Sequence, residues 1–258
     1  MKRLKAFFKL KKTSKVAICR VSDLLHKGHD PQNLMSEFIR VNHEVWDNIT
    51  HPEYVWTEEM LASQFKTCPE LLYCAFEDGK LVGTASGFFC HEEDLEKYKT
   101  WLEKTGDGFY THHQPKGKIA FGADLSVVRE ASPKISSRLM LSLLVCAILG
   151  NGIKSLYLGS RIPSYHKHQE MKVEEYVFGK RKNGKPLDPE LYFYLKDGFE
   201  IVEIIPGYMD DPESLNYGVL IKWNNPLYRI TQAVPFLKPL IKVVGSFFLL
   251  RLPATGLD

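Results

Sequence analysis

Residues 121–160, FGADLSVVREASPKISSRLMLSLLVCAILGNGIKSLYLGS, leave this chain few folds to adopt. They read as a strand (119–128), a short turn, a helix (133–150) and a second strand (153–158), a unit that buries both its strands and its helix. Ser132 is a good N-cap and Pro133 suits the first helical position, so the sequence predicts a sharp helix start with free N–H groups over the strand end. Such an end favours anions. Lys134 and Arg138 add positive charge there, and Glu130 subtracts some. An ordinary strand-helix crossover that binds nothing reads the same way.

Around this unit the periodicities place the other elements. A first strand covers 16–21 and is ended by Ser22-Asp23. Leu34, Phe38, Val41, Val45 and Trp46 give one face of a helix over 33–46, and Thr57 caps a second helix with Met60, Leu61 and Phe65 inside. Strands 71–76 and 80–89 flank Asp78-Gly79, a strong hairpin signal. A solvent-facing helix is expected over 91–104 and a loop over 106–117. A long polar connection, 163–187, carries a short helix at 173–178. The 91–104 insert and this connection are expected to shape an acceptor pocket. Asp188-Pro189-Glu190 starts a helix that Gly198 stops, and strands 199–205 and 216–223 follow. The result is an α/β domain over 16–225, with a mixed, mostly antiparallel sheet and helices on both faces.

Composition narrows the chemistry. With 258 residues, 44% of them hydrophobic, the chain can bury a full core. Its five cysteines are scattered without a C-x-x-C pair, which points away from disulfides and zinc and towards a reducing, cytoplasmic setting. His112, His113, His166 and His168 lack ligand-spaced partners and read as solvated, so no metal is expected. Net charge is +3, but residues 1–15 hold seven Lys/Arg and no acid, and 226–258 hold four against one Asp. The body between them is therefore acidic. That pattern argues against a nucleic-acid surface and for termini that meet something anionic, such as a membrane surface. The basic N-terminal tail is too poor in apolar residues for a secretory signal and is expected to be retained. In the C-terminal tail the longest apolar run, 243–250, is too short to span a bilayer. Three roles stay open for that tail: lying in a membrane interface with its lysines towards headgroups, capping the pocket, or making a dimer contact.

The element order resembles the GCN5-related N-acetyltransferase (GNAT) superfamily over residues 16–225. The segments GSRIPSYHKHQEM, EEYV, DPELYFYLKDGFE and DPESLNYGVLIKWNNP are most similar to acetyltransferase-type domains found alone or fused to nitrilase-like amidohydrolases. The resemblance implies an acyl-CoA N-acyltransferase fold, acetyl-CoA or a longer acyl-CoA as co-substrate, and a small-molecule or peptide amine as acceptor. The family's turn, Q/R-x-x-G-x-G/A, falls on residues 131–136, where Ala131 replaces the leading residue and Lys134 and Ser136 replace the glycines. The resemblance gives the coenzyme pyrophosphate to Ser132, Lys134, Ile135, Ser136, Ser137 and Arg138. It gives the pantetheine arm to main-chain groups of Leu125, Ser126 and Val127 in a splayed strand pair. Tyr194, in FYLKDGF, takes the position of the family's acid for the departing thiolate. For the base, the strand alternates Phe121, Ala123, Leu125 and Val127 against Gly122, Asp124 and Ser126, which singles out Asp124. Pairing of Asp124 with Arg129 or Arg161, or a water relay in its place, fits equally well. The altered turn supports a second expectation, a degenerate module that binds coenzyme A or an acyl chain without turnover.

Overall fold

In the computed structural model, which describes residues 15–47 and 51–249, seven strands form one sheet. They are β1 (Val16–Arg20), β2 (Tyr73–Glu77), β3 (Lys80–Cys90), β4 (Ile119–Val127), β5 (Ser155–Ser160), β6 (Glu200–Ile205) and β7 (Gly218–Asn224), in the spatial order β1-β2-β3-β4-β5-β7-β6. Only β4 and β5 run parallel, as the strand-helix-strand unit requires; every other neighbour is antiparallel. The sheet is the mixed, mostly antiparallel one expected from the sequence.

Helices cover both faces. On one lie α1 (Val21–His26), α2 (Pro31–Trp46) and α3 (Glu58–Thr67), then α4 (Glu92–Lys97) and α5 (Trp101–Thr105). On the other lies α6 (Ile135–Ser142), whose Leu139 packs over Gly83 of β3. Downstream come α7 (Val173–Phe178), α8 (Pro189–Leu195), α9 (Tyr228–Ala233) and α10 (Leu237–Leu249). Asp30, Thr57 and Asp188 cap α2, α3 and α8 with their side chains, so these starts are written in the sequence. Val21, read as strand, instead begins α1.

The 91–104 segment is two helices, not one solvent-facing helix. Lys104, 3% exposed, turns its ammonium inward to the carbonyls of Leu95 and Tyr98, and Thr100 with Glu103 forms a capping box that restarts the helix. Burial lowers the Lys104 pKa to about 8. The break turns Trp101 inward.

The central helix also departs from expectation. It starts at Ile135, with Lys134 in the capping position, and widens into a π-helical stretch (Leu143–Leu149). Ser132 does not cap it. The Ser132 hydroxyl donates to Glu77 Oε1, and its N–H donates to Glu77 Oε2 at 3.0 Å.

β4 carries a β-bulge that positions the site. Ser86 pairs with Asp124 but Gly87 pairs with Gly122, so Ala123 is the extra residue. The alternation read from sequence therefore reverses there. Asp124 shares a face with Phe121, not the opposite face, because a bulge shifts every later side chain. Trp101 Nε1 donates to the carbonyl of Ala123 at 2.9 Å, which satisfies a main-chain group in the irregular segment.

At the C-terminal end, α10 packs against α6 and its π-helical extension. Phe236, Leu240, Val243 and Val244 stay exposed, while Lys238 and Lys242 lie over Gly152 and Gly150. Both lysines are half-buried there. No described helix is long and apolar enough to cross a membrane. The basic segment 1–14 and residues 250–258 fall outside the described residues.

Candidate active site

Pairing between β4 and β5 runs from Ile119 with Ser155 to Gly122 with Leu158 and stops there. Beyond the bulge the two parallel strands splay, and a cleft opens between them whose empty space, open solvent included, is about 750 Å³. Its floor is Gly122, Ala123, Asp124 and Leu125 of β4 with Leu158 and Gly159 of β5. Met140 and Leu143 close it from one face of the sheet. Trp46, Tyr54, Trp56 and Trp101 wall it on the other. Arg161, Glu190, Tyr194, Tyr208 and Met209 complete the rim.

Asp124 is half-buried and anchored. Its Oδ2 accepts from Thr84 Oγ1 at 3.0 Å and its Oδ1 from Ser126 Oγ at 2.6 Å; Trp46 Nε1 in turn donates to Ser126 Oγ at 2.7 Å. Burial pushes its pKa up to about 6, against the lowering effect of Ser126, Thr84, Trp46 and Asn42. It pairs with neither Arg129 nor Arg161. Arg161 instead makes a buried bidentate pair with Asp211, at 2.7 and 2.8 Å, and reaches Glu213 at 3.0 Å.

Glu190 and Tyr194 sit four residues apart on α8, hence on one helical face. Asp188 fixes that helix by accepting from the N–H groups of Glu190 (2.8 Å) and Leu191 (3.1 Å), and it also accepts from Tyr176 Oη of α7 at 3.0 Å. The 163–187 connection thus buttresses α8 and contributes no lining residue, whereas the 91–104 segment supplies Trp101. Burial raises the Glu190 pKa to about 7, helped by Asp188 and Asp211 and opposed by Arg161. Tyr194 is buried, and burial, Glu190, Asp124 and Tyr208 all hold its pKa well above the ordinary phenol. It is protonated at any physiological pH.

The residues expected to hold a coenzyme divide into two groups. Leu125, Ser126 and Val127 follow the splay, where β5 offers them no partner, and of the three Leu125 lines the cleft. The Ser126 side chain is committed to Asp124 and Trp46. Of the turn, Lys134 is exposed and Ser136, Ser137 and Arg138 are half-buried; Ile135 is buried, and the Ser132 N–H is engaged by Glu77. The Arg138 guanidinium also donates to the Val16 carbonyl at 3.3 Å.

No protein-family model matches the chain. Among solved structures it is similar to the GphF GNAT-like decarboxylase in complex with isobutyryl-CoA (TM-score 0.63, 21% identity, covering 81% of this chain and 98% of that one). It is similar also to the loading GNATL domain of CurA from Lyngbya majuscula (TM-score 0.64, 18% identity, 82% and 97%). Both likenesses concern the fold. In sequence, the chain is 31% identical over 178 residues to the uncharacterized N-acetyltransferase YkwB of Bacillus subtilis, covering 69% of this chain and 78% of YkwB. The chain belongs to the GCN5-related N-acetyltransferase superfamily. This GNAT chain is also 34% identical over 186 residues to the probable hydrolase YhcX of Bacillus subtilis, a match that spans 71% of the chain but only 36% of YhcX.

Within the GNAT fold, the structure brings Asp124, Leu125 and Tyr194 to one cleft, whereas Ser126 and Val127 and the turn residues Ser132, Lys134, Ile135, Ser136, Ser137 and Arg138 do not line it. Sequence reasoning missed Glu190, Tyr208 and the tryptophan wall. A signal existed for Glu190, four residues before Tyr194 in a helix beginning at Pro189. None existed for Tyr208, whose neighbours come from distant strands.

Proposed function

We propose that this GNAT enzyme transfers an acyl group from a coenzyme A thioester directly to the nitrogen of an amine in a small molecule or peptide. The observation that carries the reading is one cleft at a splayed strand pair holding a carboxylate with a pKa near neutrality and a tyrosine kept protonated. The thioester would lie along the β4 edge, and its phosphates would meet Lys134, Ser136 and Arg138 rather than the Ser132 N–H. The amine nitrogen attacks the thioester carbonyl carbon while Asp124 accepts its proton. The C–S bond then breaks and Tyr194 gives its proton to the thiolate. Glu190, on the same helical face, is suited to return a proton to Tyr194.

A covalent relay through the described cysteines is disfavoured. Cys19, Cys68, Cys74 and Cys90 are buried, and burial pushes Cys19 and Cys90 up to about 12 and the other two up as well.

The test is thiol release from acetyl-, isobutyryl- and a long-chain acyl-CoA, with and without a panel of primary amines, and with the amide product detected by mass. Amine-dependent release and a matching amide are expected. Coenzyme binding without release across the panel would instead mark a non-catalytic module. The pH profile gives a second check. An Asp124 with pKa about 6 is charged above that pH, so kcat/KM should rise through a limb centred near 6. Asp124→Asn should lose that limb together with about 10²–10⁴-fold in rate.

A further inference from the structure

Tyr208, in the turn between β6 and β7, is held more tightly than a loop residue needs to be. Its N–H donates to the Asn216 carbonyl at 2.8 Å, and its own carbonyl accepts from the Trp101 N–H at 2.9 Å. Its ring fills a slot made by two glycines on neighbouring strands. A Cβ at Gly159 of β5 would lie 2.0 Å from the Tyr208 hydroxyl, and one at Gly218 of β7 would lie 2.4 Å from its ring. With side chains at either place the ring could not sit there.

The slot delivers the hydroxyl to the cleft wall and gives it nothing to bond. Tyr208 is 1% exposed, and among the described residues its hydroxyl has no hydrogen-bond partner. Buried polar groups in folded proteins are nearly always paired, and a phenol that only packed would be served by Phe. A ligand entering the cleft could bring the acceptor that this hydroxyl lacks. Its place can be read from the walls: Asp124 lies on the β4 side of the splay, Tyr208 over Gly159 on the β5 side, and Tyr194 at the rim.

We propose that the Tyr208 hydroxyl donates a hydrogen bond to the acyl oxygen of the bound thioester and to the oxyanion that forms when the amine adds. This inference rests on the acyl-transfer reading above and adds a catalytic residue to it. The carbonyl π electrons move onto oxygen as the C–N bond forms. They return when the C–S bond breaks, so Tyr208 donates throughout and transfers no proton. A fixed donor aimed at developing charge stabilises the transition state more than the ground state.

The experiment compares wild type with Tyr208→Phe, which keeps the ring in its slot. Loss of a single oxyanion donor is expected to lower kcat by about 10²–10³-fold, with the KM for acetyl-CoA little changed. The same variant should be more heat-stable by about 2–4 °C, because a buried unpaired hydroxyl is gone. Infrared difference spectra of bound [1-¹³C]acetyl-CoA supply a readout independent of turnover. The carbonyl stretch should lie at lower frequency in wild type than in the variant. Equal kcat, or an equal carbonyl frequency, in a wild type that binds and turns over acetyl-CoA would overturn the role of Tyr208 and leave acyl transfer standing. A wild type that binds no acyl-CoA would overturn both.

Discussion

Tyr194→Phe is expected to lower kcat for acyl transfer by about 10²–10⁴-fold while leaving the KM for acyl-CoA little changed. The ring is held edge-on by Phe193 at 5.0 Å and Phe199 at 5.6 Å, so a phenyl group keeps the packing and only the proton donor is removed. Among the described residues no protein group holds the Tyr194 hydroxyl, and its surroundings oppose ionisation. Both facts favour a donor waiting for a thiolate. The leaving group offers a check that a packing role would not pass. If Tyr194 protonates the departing sulfur, thioesters of more acidic thiols need less help, and the gap between wild type and variant should narrow with them. Full-rate turnover of Tyr194→Phe on acetyl-CoA would remove Tyr194 from the chemistry.

Much of the frame that places Tyr194 was legible because it is written locally. Thr57 and Asp188 announce helix starts, Asp78-Gly79 announces the hairpin with both residues at positive φ (51° and 87°), and Gly198 at φ 91° stops the strand-leading helix, whereas the Asp30 cap went unread and α2 begins at Pro31, two residues before the expected 33. What failed depends on partners far along the chain. Ser132 has the chemistry of an N-cap, yet Glu77, 55 residues away, offers it a carboxylate, and the helix begins later. Asp124 was found for a reason that was half wrong. Its polarity among apolar neighbours was informative, but its face was set by the offset of Ser86 and Gly87 on β3, which no period-two reading of β4 contains. Tyr208 is the extreme case. The slot that holds it is made by two glycines, Gly159 and Gly218, that become neighbours only when β5 and β7 pair.

The segments that carried the family resemblance, GSRIP and DPESLNY, meet in space through the buried ion pair of Arg161 with Asp211, which makes Asp211 sensitive to substitution. Asp211 is 0% exposed and Arg161 8%. The Arg161 guanidinium also stands over the Trp46 ring, 5.4 Å from its centroid. Asp211 accepts from Ser214 Oγ, and Ser214 Oγ accepts from the Ile162 N–H at 3.0 Å, so the pair is stitched to both segments. Asp211→Ala leaves a buried guanidinium with the half-exposed Glu213 as its ion-pair partner and Glu190 nearby, and should cost about 3–5 kcal/mol, with a fall in Tm of about 10 °C. Replacing both members, Arg161→Met with Asp211→Leu, should recover most of that loss, because uncharged side chains carry no desolvation penalty. Activity should not recover with it. Arg161 is the cation that opposes the raised pKa of Glu190, and without it Glu190 holds its proton to higher pH. Thermal melts of both variants, read beside their pH–rate profiles, separate the two effects. A single variant as stable as wild type would show that Arg161 finds another partner, and the pair would lose its place as the clamp between the two segments.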